Sequence, residues 1–369
     1  MIYLDSGATS FPRPAGVIRA VDSALRTCAN PGRGGYPASE LASRLVFRCR
    51  ERAAALFDCR PEQVVLTGSC THGLNLAIGS VLKPGGTAAV SGFEHNAVMR
   101  PLYARDVRVK VCGRRLFDRE NTLEEFHEAL QAGVDAAVFT HVSNVFGYIL
   151  PVEEMAAMCR EKGVPFIVDA AQSAGTLPLS LTGLGADFIA MPGHKGLLGP
   201  QGTGLLLCAG EARPLLYGGT GSQSLLKTMP EELPERLEPG TVNVPGAAGL
   251  LAGMETVGRI GQANLARREG RLAKQCAEGL EALGYTVFRG QPQAGTVSFQ
   301  GGFDCEEGAQ RLAGMGIAVR AGLHCAPLAH ESAGTVNTGT IRVSFGWNST
   351  EGDCRAFLRA AEILRRFDG

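Results

Sequence analysis

The chain has 369 residues, of which 45% are apolar and 20% charged, enough for a large core and long enough for two domains. Lys plus Arg and Asp plus Glu each number 36, so no basic excess points to nucleic acid or an anionic membrane, and no charge block reads as a tail. No apolar run is long enough to cross a bilayer; "AAGLLAGM" comes nearest, and it is short and broken by glycine.

The opening "MIYLDSGATSFPRP" has no basic flank ahead of an apolar core, so it is not read as a secretion signal. The strand candidates follow in order: "VVLTG" (64–68), "AAVSG" (88–92), "AAVFTHV" (136–142), "FIVDAA" (166–171), "FIAM" (188–191) and "GLLLC" (204–208). They lack period-two alternation, as strands buried on both faces do. "VRVKVC" (107–112) does alternate, with Arg108 and Lys110 outward, and is read as half exposed. Helices are predicted at 73–82, 95–104, 122–131 and 153–162. This alternation argues for an α/β fold, a mostly parallel sheet covered by helices on both faces.

Near residue 245 the rhythm changes. A long helical stretch is predicted to run to about Leu283, with Leu272, Cys276, Leu280 and Leu283 on one face. Then come "TVFRG", "GTVSFQ", a helix at 304–314, "AVRAG", "IRVSF" and a last helix from Thr350, where Thr350 and Asp353 have capping-box spacing. The expected organisation is a large domain at 15–248 and a smaller α+β domain at 249–369, with 1–14 packing against the latter. No internal repeat or low-complexity segment appears.

The 11 cysteines are scattered, with no C-x-x-C pair. Cys49, Cys112, Cys159, Cys208 and Cys276 lie in apolar segments, as buried thiols of a reducing compartment do. The expected location is the cytoplasm. Cys325 differs. It lies in "VRAGLHCAPLAH", between His324 and His330 and five residues after Arg320, where cations favour the thiolate.

Ligands of open α/β sheets bind at the carboxyl ends of the strands. Those ends carry Ser69, Cys70 and Thr71 at a helix start, Glu94 and His95, His141 and Asn144, Asp169 and Gln172, and finally His194 and Lys195. The set suits pyridoxal 5'-phosphate, which needs a Schiff-base lysine, an acid beside its ring nitrogen, a stacking ring and a phosphate cup at a helix N-terminus. Each residue alone has a duller reading: a solvated lysine, a turn aspartate, an ordinary N-cap. The argument is joint. No G-x-x-x-x-G-K-[ST] loop and no strand-borne G-x-G-x-x-G occurs. A metal site from His324, Cys325 and His330 lacks a fourth ligand at standard spacing, so no metal is expected.

The motifs "YLDSGATS", "NPGRGG", "GSCTHGLNLA", "EHNAVMRP", "VSNVFGYILPVEE", "VDAAQSAG", "GHKGLLGPQGTG", "PGTVNVPG", "RAGLHCAPLAH" and "IRVSFGWNSTE" run nearly end to end. With them the chain resembles the class V branch of fold-type-I pyridoxal-phosphate enzymes. Within that branch it is most similar to the cysteine desulfurase/selenocysteine lyase group, in its form with a short, structured cysteine loop (group II-like). The resemblance implies that Lys195 carries the cofactor and shuttles the α-proton. It implies Asp169 on the ring nitrogen, Gln172 on the ring's phenolic oxygen and His95 stacked on the ring. Thr71, the backbone near Cys70, and His194 would bind the phosphate. Asn144 and Arg342 would hold the substrate carboxylate, and Arg33 would lie at the mouth. Thr241 would reach the phosphate of the partner subunit in a homodimer. Cys325 would be the nucleophile that takes sulfur from L-cysteine, or selenium from L-selenocysteine, and passes it to an acceptor protein.

Three positions depart from the family's pattern. Pro192 stands where many relatives have Ser or Thr, Leu323 where a second histidine precedes the H-C pair, and Tyr36 where His often stands. They bear on substrate and rate rather than on the cofactor. A class V aminotransferase or β-lyase would keep Lys195, Asp169 and Arg342 without needing Cys325. A binding or regulatory protein that keeps the fold without turnover would be expected to have lost part of the polar set.

Overall fold

The computed structural model describes residues 1–32 and 34–367; Arg33, expected at the site mouth, lies outside them. The chain opens with β1 (Ile2–Tyr3), α1 (Ala15–Thr27) and α2 (Pro37–Phe57). The alternating region follows: β2 (Val64–Thr67), α3 (Cys70–Val81), β3 (Thr87–Ser91), α4 (Asn96–Ala104), β4 (Arg108–Cys112), α5 (Arg119–Gln131), β5 (Ala136–Thr140), α6 (Val152–Lys162), β6 (Phe166–Asp169), α7 (Leu181–Leu184), β7 (Phe188–Pro192) and β8 (Gly204–Cys208). The remainder is α8 (Val244–Ile260), α9 (Gln262–Ala282), β9 (Thr286–Phe288), β10 (Thr296–Gln300), α10 (Cys305–Gly314), β11 (Ile317–Ala318), β12 (Arg320–Gly322), α11 (Pro327–Ala333), β13 (Thr340–Ser344) and α12 (Glu351–Leu364).

Seven strands form the main sheet, in the order β2-β8-β7-β6-β5-β3-β4. All run parallel except β8, which is antiparallel to both β2 and β7. Successive residues of each strand face opposite sides. Ala88, Val90, Val138 and Ile167 pack under α3 and α4. Ala89, Phe139, Val168 and Ile189 pack under α2, α6 and α8. Two buried faces explain why these strands read as unbroken apolar runs. β4 is one of the two edge strands; Arg108 is exposed and only Cys112 is buried.

The second sheet, β12-β13-β10-β9, is antiparallel. Its core holds Val297, Phe299, Ile341 and Val343 against Leu272, Cys276 and Leu280 of α9 and Phe357 of α12. Leu4 joins this core, and β1 pairs with β11. The capping box forms: Thr350 Oγ1 accepts from Asp353 N, and Asp353 Oδ2 accepts from Thr350 N. The predicted helix across 245–283 is two helices. Gly261, at φ +87°, separates α8 from α9, a left-handed conformation that glycine adopts without strain.

Candidate functional site

At the carboxyl ends of the parallel strands lies a cavity of about 350 Å³. Lys195, Asp169, His95, Gln172, Cys70, Thr71, His194, Asn144, Arg342 and Cys325 all line it. These residues span 70–342; the main sheet brings together those that follow its strands, and Cys325 and Arg342 come from outside it. Thr241 does not join them in the single chain. It is exposed and lines a neighbouring cavity with Gly68 and His72.

Lys195 sits in the turn after β7. Ser10 Oγ and Leu198 N both donate to its carbonyl, at 2.7 and 2.9 Å. Glycine is required here: a Cβ on Gly196 would lie 2.3 Å from Ala174 O, and one on Gly175 would lie 2.3 Å from Gly196 O. Two loops thus press backbone against backbone, which no side chain permits. Burial and the nearby Arg342 guanidinium hold the Lys195 ammonium below its ordinary pKa, which favours the nucleophilic free amine.

Asp169 ends β6. Its Oδ1 accepts from Ala171 N at 2.9 Å and from the Cys70 thiol at 3.4 Å. His95 is the N-cap of α4, and its Nδ1 accepts from Ala97 N at 3.0 Å. That bond places the ring hydrogen of the neutral imidazole on Nε2, and burial lowers the ring's pKa and favours this neutral form. Ser69 caps α3 by accepting from His72 N at 3.1 Å. The free N–H groups of the helix start at Cys70 and Thr71 therefore face the cavity as an anion cup. Gln172 Nε2 donates to Gly7 O at 3.0 Å. His194 Nδ1 meets Thr9 Oγ1 at 3.0 Å, and burial pushes its pKa down to about 4. Pro192, buried at the end of β7, offers no hydroxyl.

The opposite wall is assembled from remote segments. Arg342 on β13 is buried. Its Nη1 donates to Asn144 O at 2.9 Å and its Nη2 to Asp5 Oδ1 at 2.8 Å. Its Nε is buried without a partner among the described residues, a donor of the kind an anionic ligand satisfies. Asn144 Nδ2 donates to His324 O, and Asn96 N donates to Cys325 O, each at 2.8 Å. These bonds pin two consecutive left-handed residues, His324 at φ +50° and Cys325 at φ +55°. Two such residues in a row are uncommon outside glycine and mark a turn held by its surroundings.

Cys325 is exposed, whereas the other cysteines are buried or half-buried. Burial pushes the thiols of Cys49, Cys112 and Cys159 up to about 12, leaving them inert. His324 and His330 stack below the turn, with ring centroids 5.7 Å apart. Burial pushes His330 down to about 4. Among the described residues no group of three His, Cys, Asp or Glu side chains is placed to hold a metal. No described helix is long and apolar enough to cross a membrane.

The sequence reading gave the first ten residues no role in the site. The structure gives them five contacts: Asp5 to Arg320 and Arg342, Gly7 to Gln172, Thr9 to His194 and Ser10 to Lys195. The signal available was a short polar run, "DSGATS", directly after the apolar "IYL".

The aminotransferase class-V family profile matches residues 2–357. A probable cysteine desulfurase of Pyrococcus abyssi is 35% identical, over 99% of this chain and 94% of that protein. One from Methanothermobacter thermautotrophicus is 30% identical, over 95% and 91%. The apo structure of the cysteine desulfurase of Thermococcus onnurineus NA1 superposes with a TM-score of 0.90 at 32% identity, covering 99% of this chain and 94% of that one. The Escherichia coli cysteine desulfurase CsdA, in an S-sulfonic acid form, gives 0.85 at 25% identity over 99% and 94%. With a family profile matching almost end to end, the chain belongs to the aminotransferase class-V family, among relatives named cysteine desulfurase.

Proposed function

We propose that this protein is a pyridoxal-phosphate-dependent cysteine desulfurase that works as a cytoplasmic homodimer. The observation that carries the reading is the placing of an exposed cysteine, Cys325, on the same cavity as Lys195 and Asp169. An aminotransferase would need the lysine and the aspartate but not that thiol. The full-length likeness to proteins named cysteine desulfurase supports the same reading.

The residues fit the cofactor: an amine, a carboxylate, an imidazole and a helix N-terminus line one cavity of suitable size. When bound, pyridoxal phosphate supplies an electron sink for the bonds broken at the substrate. Lys195 Nζ would hold the cofactor, and once free it would take and return the α-proton of the substrate. Asp169 would pair with the ring nitrogen and keep it charged, His95 would support the ring, and Gln172 would hold the phenolic oxygen. Cys70 N, Thr71 and His194 would hold the phosphate, and in a homodimer Thr241 of the other protomer would complete the cup. Arg342, through its remaining N–H groups, and Asn144 hold the substrate carboxylate. Residues 15–248 act as the cofactor domain and 249–369, with 1–14, as the substrate-side domain.

The Cys325 thiolate attacks the sulfur of L-cysteine. The S–S bond forms as the substrate's Cβ–S bond breaks, and its electron pair and a proton end on that carbon. L-Alanine leaves, Cys325 carries a persulfide, and the outer sulfur passes to an acceptor thiol, such as that of an acceptor protein. Product analysis tests this. Purified protein with pyridoxal phosphate and L-cysteine should yield alanine in equal amount to sulfide once a reductant is added. A keto-acid-dependent transfer of the amino group, with no sulfide, would replace the reading by that of an aminotransferase.

A further inference from the structure

Cys70 opens α3 and lines the cavity with Asp169. A buried thiol has a plain reading as a small apolar group. Its contacts here say more. Cys70 Sγ donates to Asp169 Oδ1 at 3.4 Å, and Ala171 N donates to the same oxygen at 2.9 Å. A carboxylate oxygen has two lone pairs, so Oδ1 is filled. Oδ2 accepts no hydrogen bond among the described residues, and Asp169 lines the cavity, which leaves Oδ2 for a ligand. Burial and the Asp169 charge hold the Cys70 thiol well above its ordinary pKa. It stays protonated, and toward a carboxylate it can only donate. Among the described residues no other side chain donates to Asp169. Thr140 Oγ1 also lies on the cavity, but it donates to Val142 O at 3.0 Å, and His95 Nδ1 accepts from Ala97 N. The backbone fixes Cys70 in place, because Ser69 caps α3 directly before it.

We propose that Cys70 is a positioning residue for the cofactor's acid: its thiol and the Ala171 amide hold Oδ1 of Asp169, so that Oδ2 alone meets the ring nitrogen of pyridoxal phosphate and the shared proton stays on the ring. The inference rests on the cofactor reading of this cavity. A donor on one oxygen spreads the charge of a carboxylate and lowers its basicity. A proton shared with a less basic carboxylate lies nearer the nitrogen, the state in which the ring draws electrons best. Cys70 acts through Asp169 and takes no part in sulfur transfer, which needs an accessible thiolate. The cavity thus holds two thiols with opposite duties: Cys325 is exposed, and Cys70 is buried and kept protonated.

The test uses protein loaded with pyridoxal phosphate that carries a heavy-nitrogen label in its ring, read by nitrogen resonance. Cys70→Ala removes the donor and keeps the backbone N–H. The ring-nitrogen signal should move from the protonated toward the unprotonated position. Cofactor affinity should fall roughly 3–10-fold, the worth of one hydrogen bond from a weak donor. Cys70→Ser, a stronger donor on a shorter arm, should recover most of both changes. A signal unmoved in Cys70→Ala overturns the proposal, and so does Cys70→Ser behaving as Cys70→Ala, which would reduce Cys70 to packing. Infrared spectra of the cofactor-free proteins cover the case of a variant that does not load. The S–H stretching band lost in Cys70→Ala should lie at the low-frequency end of the protein's thiol bands, as for a donor to a carboxylate; a band at the position of an unbonded thiol overturns the proposal. If the wild type takes up no pyridoxal phosphate, the cofactor reading fails and this inference falls with it, even where the infrared band shows the bond between Cys70 and Asp169.

Discussion

The wall of the cavity that carries Lys195 and Asp169 and the wall that carries Cys325 are built in opposite ways. On the first, Asp169, His95, Asn144 and Lys195 each follow a strand of one sheet. The ladder fixes them: Ala170 N donates to Ala190 O and His141 N to Asp169 O, both at 2.9 Å. On the second, Asp5, Arg320, Cys325 and Arg342 come from the N-terminal segment, β12, a turn and β13. Ion pairs and two left-handed residues hold them. A wall set by a sheet keeps its geometry when a side chain is lost. A wall set by pairs leaves a buried partner exposed to the loss, and breaking such pairs is strongly destabilising.

The largest effect should separate the chemistry of the two walls. Lys195→Ala should stop every step, with desulfuration of L-cysteine down roughly 1,000-fold or more. Cys325→Ala should stop sulfur transfer to a similar degree yet still exchange the α-hydrogen of L-cysteine with solvent, read by proton resonance in heavy water. If exchange dies in both variants, the walls do not act separately and the nucleophile assignment must be redrawn. The next effect tests Arg342 itself. Arg342→Lys keeps the charge but loses the planar fork and its bond to Asn144 O or Asp5. KM for L-cysteine should rise roughly 10–100-fold, from the loss of charge-assisted hydrogen bonds, with kcat changing less. Steady-state kinetics decide it; a fall in kcat alone would move Arg342 from binding to chemistry.

The same contrast explains what the sequence could disclose. A strand buried on both faces writes itself as an apolar run, and the residue after it is a site candidate by position alone. Asp169, His95, Asn144 and Lys195 were legible for that reason, and so were the seven strands. Strand direction was not: "GLLLC" looks the same whichever way it runs, and β8 proved antiparallel to both neighbours. The break at Gly261 was hidden because one glycine in a helical pattern is tolerable. The role of Asp5 was hidden more deeply. Its partners Arg320 and Arg342 lie 315 and 337 residues away, and no local spacing can announce a pair at that distance. In the N-terminal segment Leu4 lies in the core of the second sheet, while Asp5, Gly7, Thr9 and Ser10 bond to residues of the cavity.

The smallest effect concerns pH. Glu269 on α9 is buried, lines a cleft with Ser10, Gln172, Lys195 and Trp347, and has no hydrogen bond or ion pair among the described residues. Burial pushes its carboxyl up to about 8, with Arg268 opposing weakly. Glu94, on the sheet-built side, is also pushed up to about 8; Ser91 and Thr140 donate to its Oε1, and its Oε2 is buried without a partner among the described residues. A carboxyl with a raised folded-state pKa binds its proton more tightly folded than unfolded. Its contribution is therefore full below the unfolded value and is lost as pH rises toward 8. Each pKa unit is worth about 1.4 kcal/mol, so even half of the Glu269 shift would remove about 2 kcal/mol of stability between pH 5 and pH 8. Glu269→Gln should flatten that part of the decline in denaturant-melting curves and leave the share due to Glu94. If the variant declines as steeply as wild type, Glu269 titrates as an ordinary surface acid, and the decline belongs to Glu94 and the other buried groups.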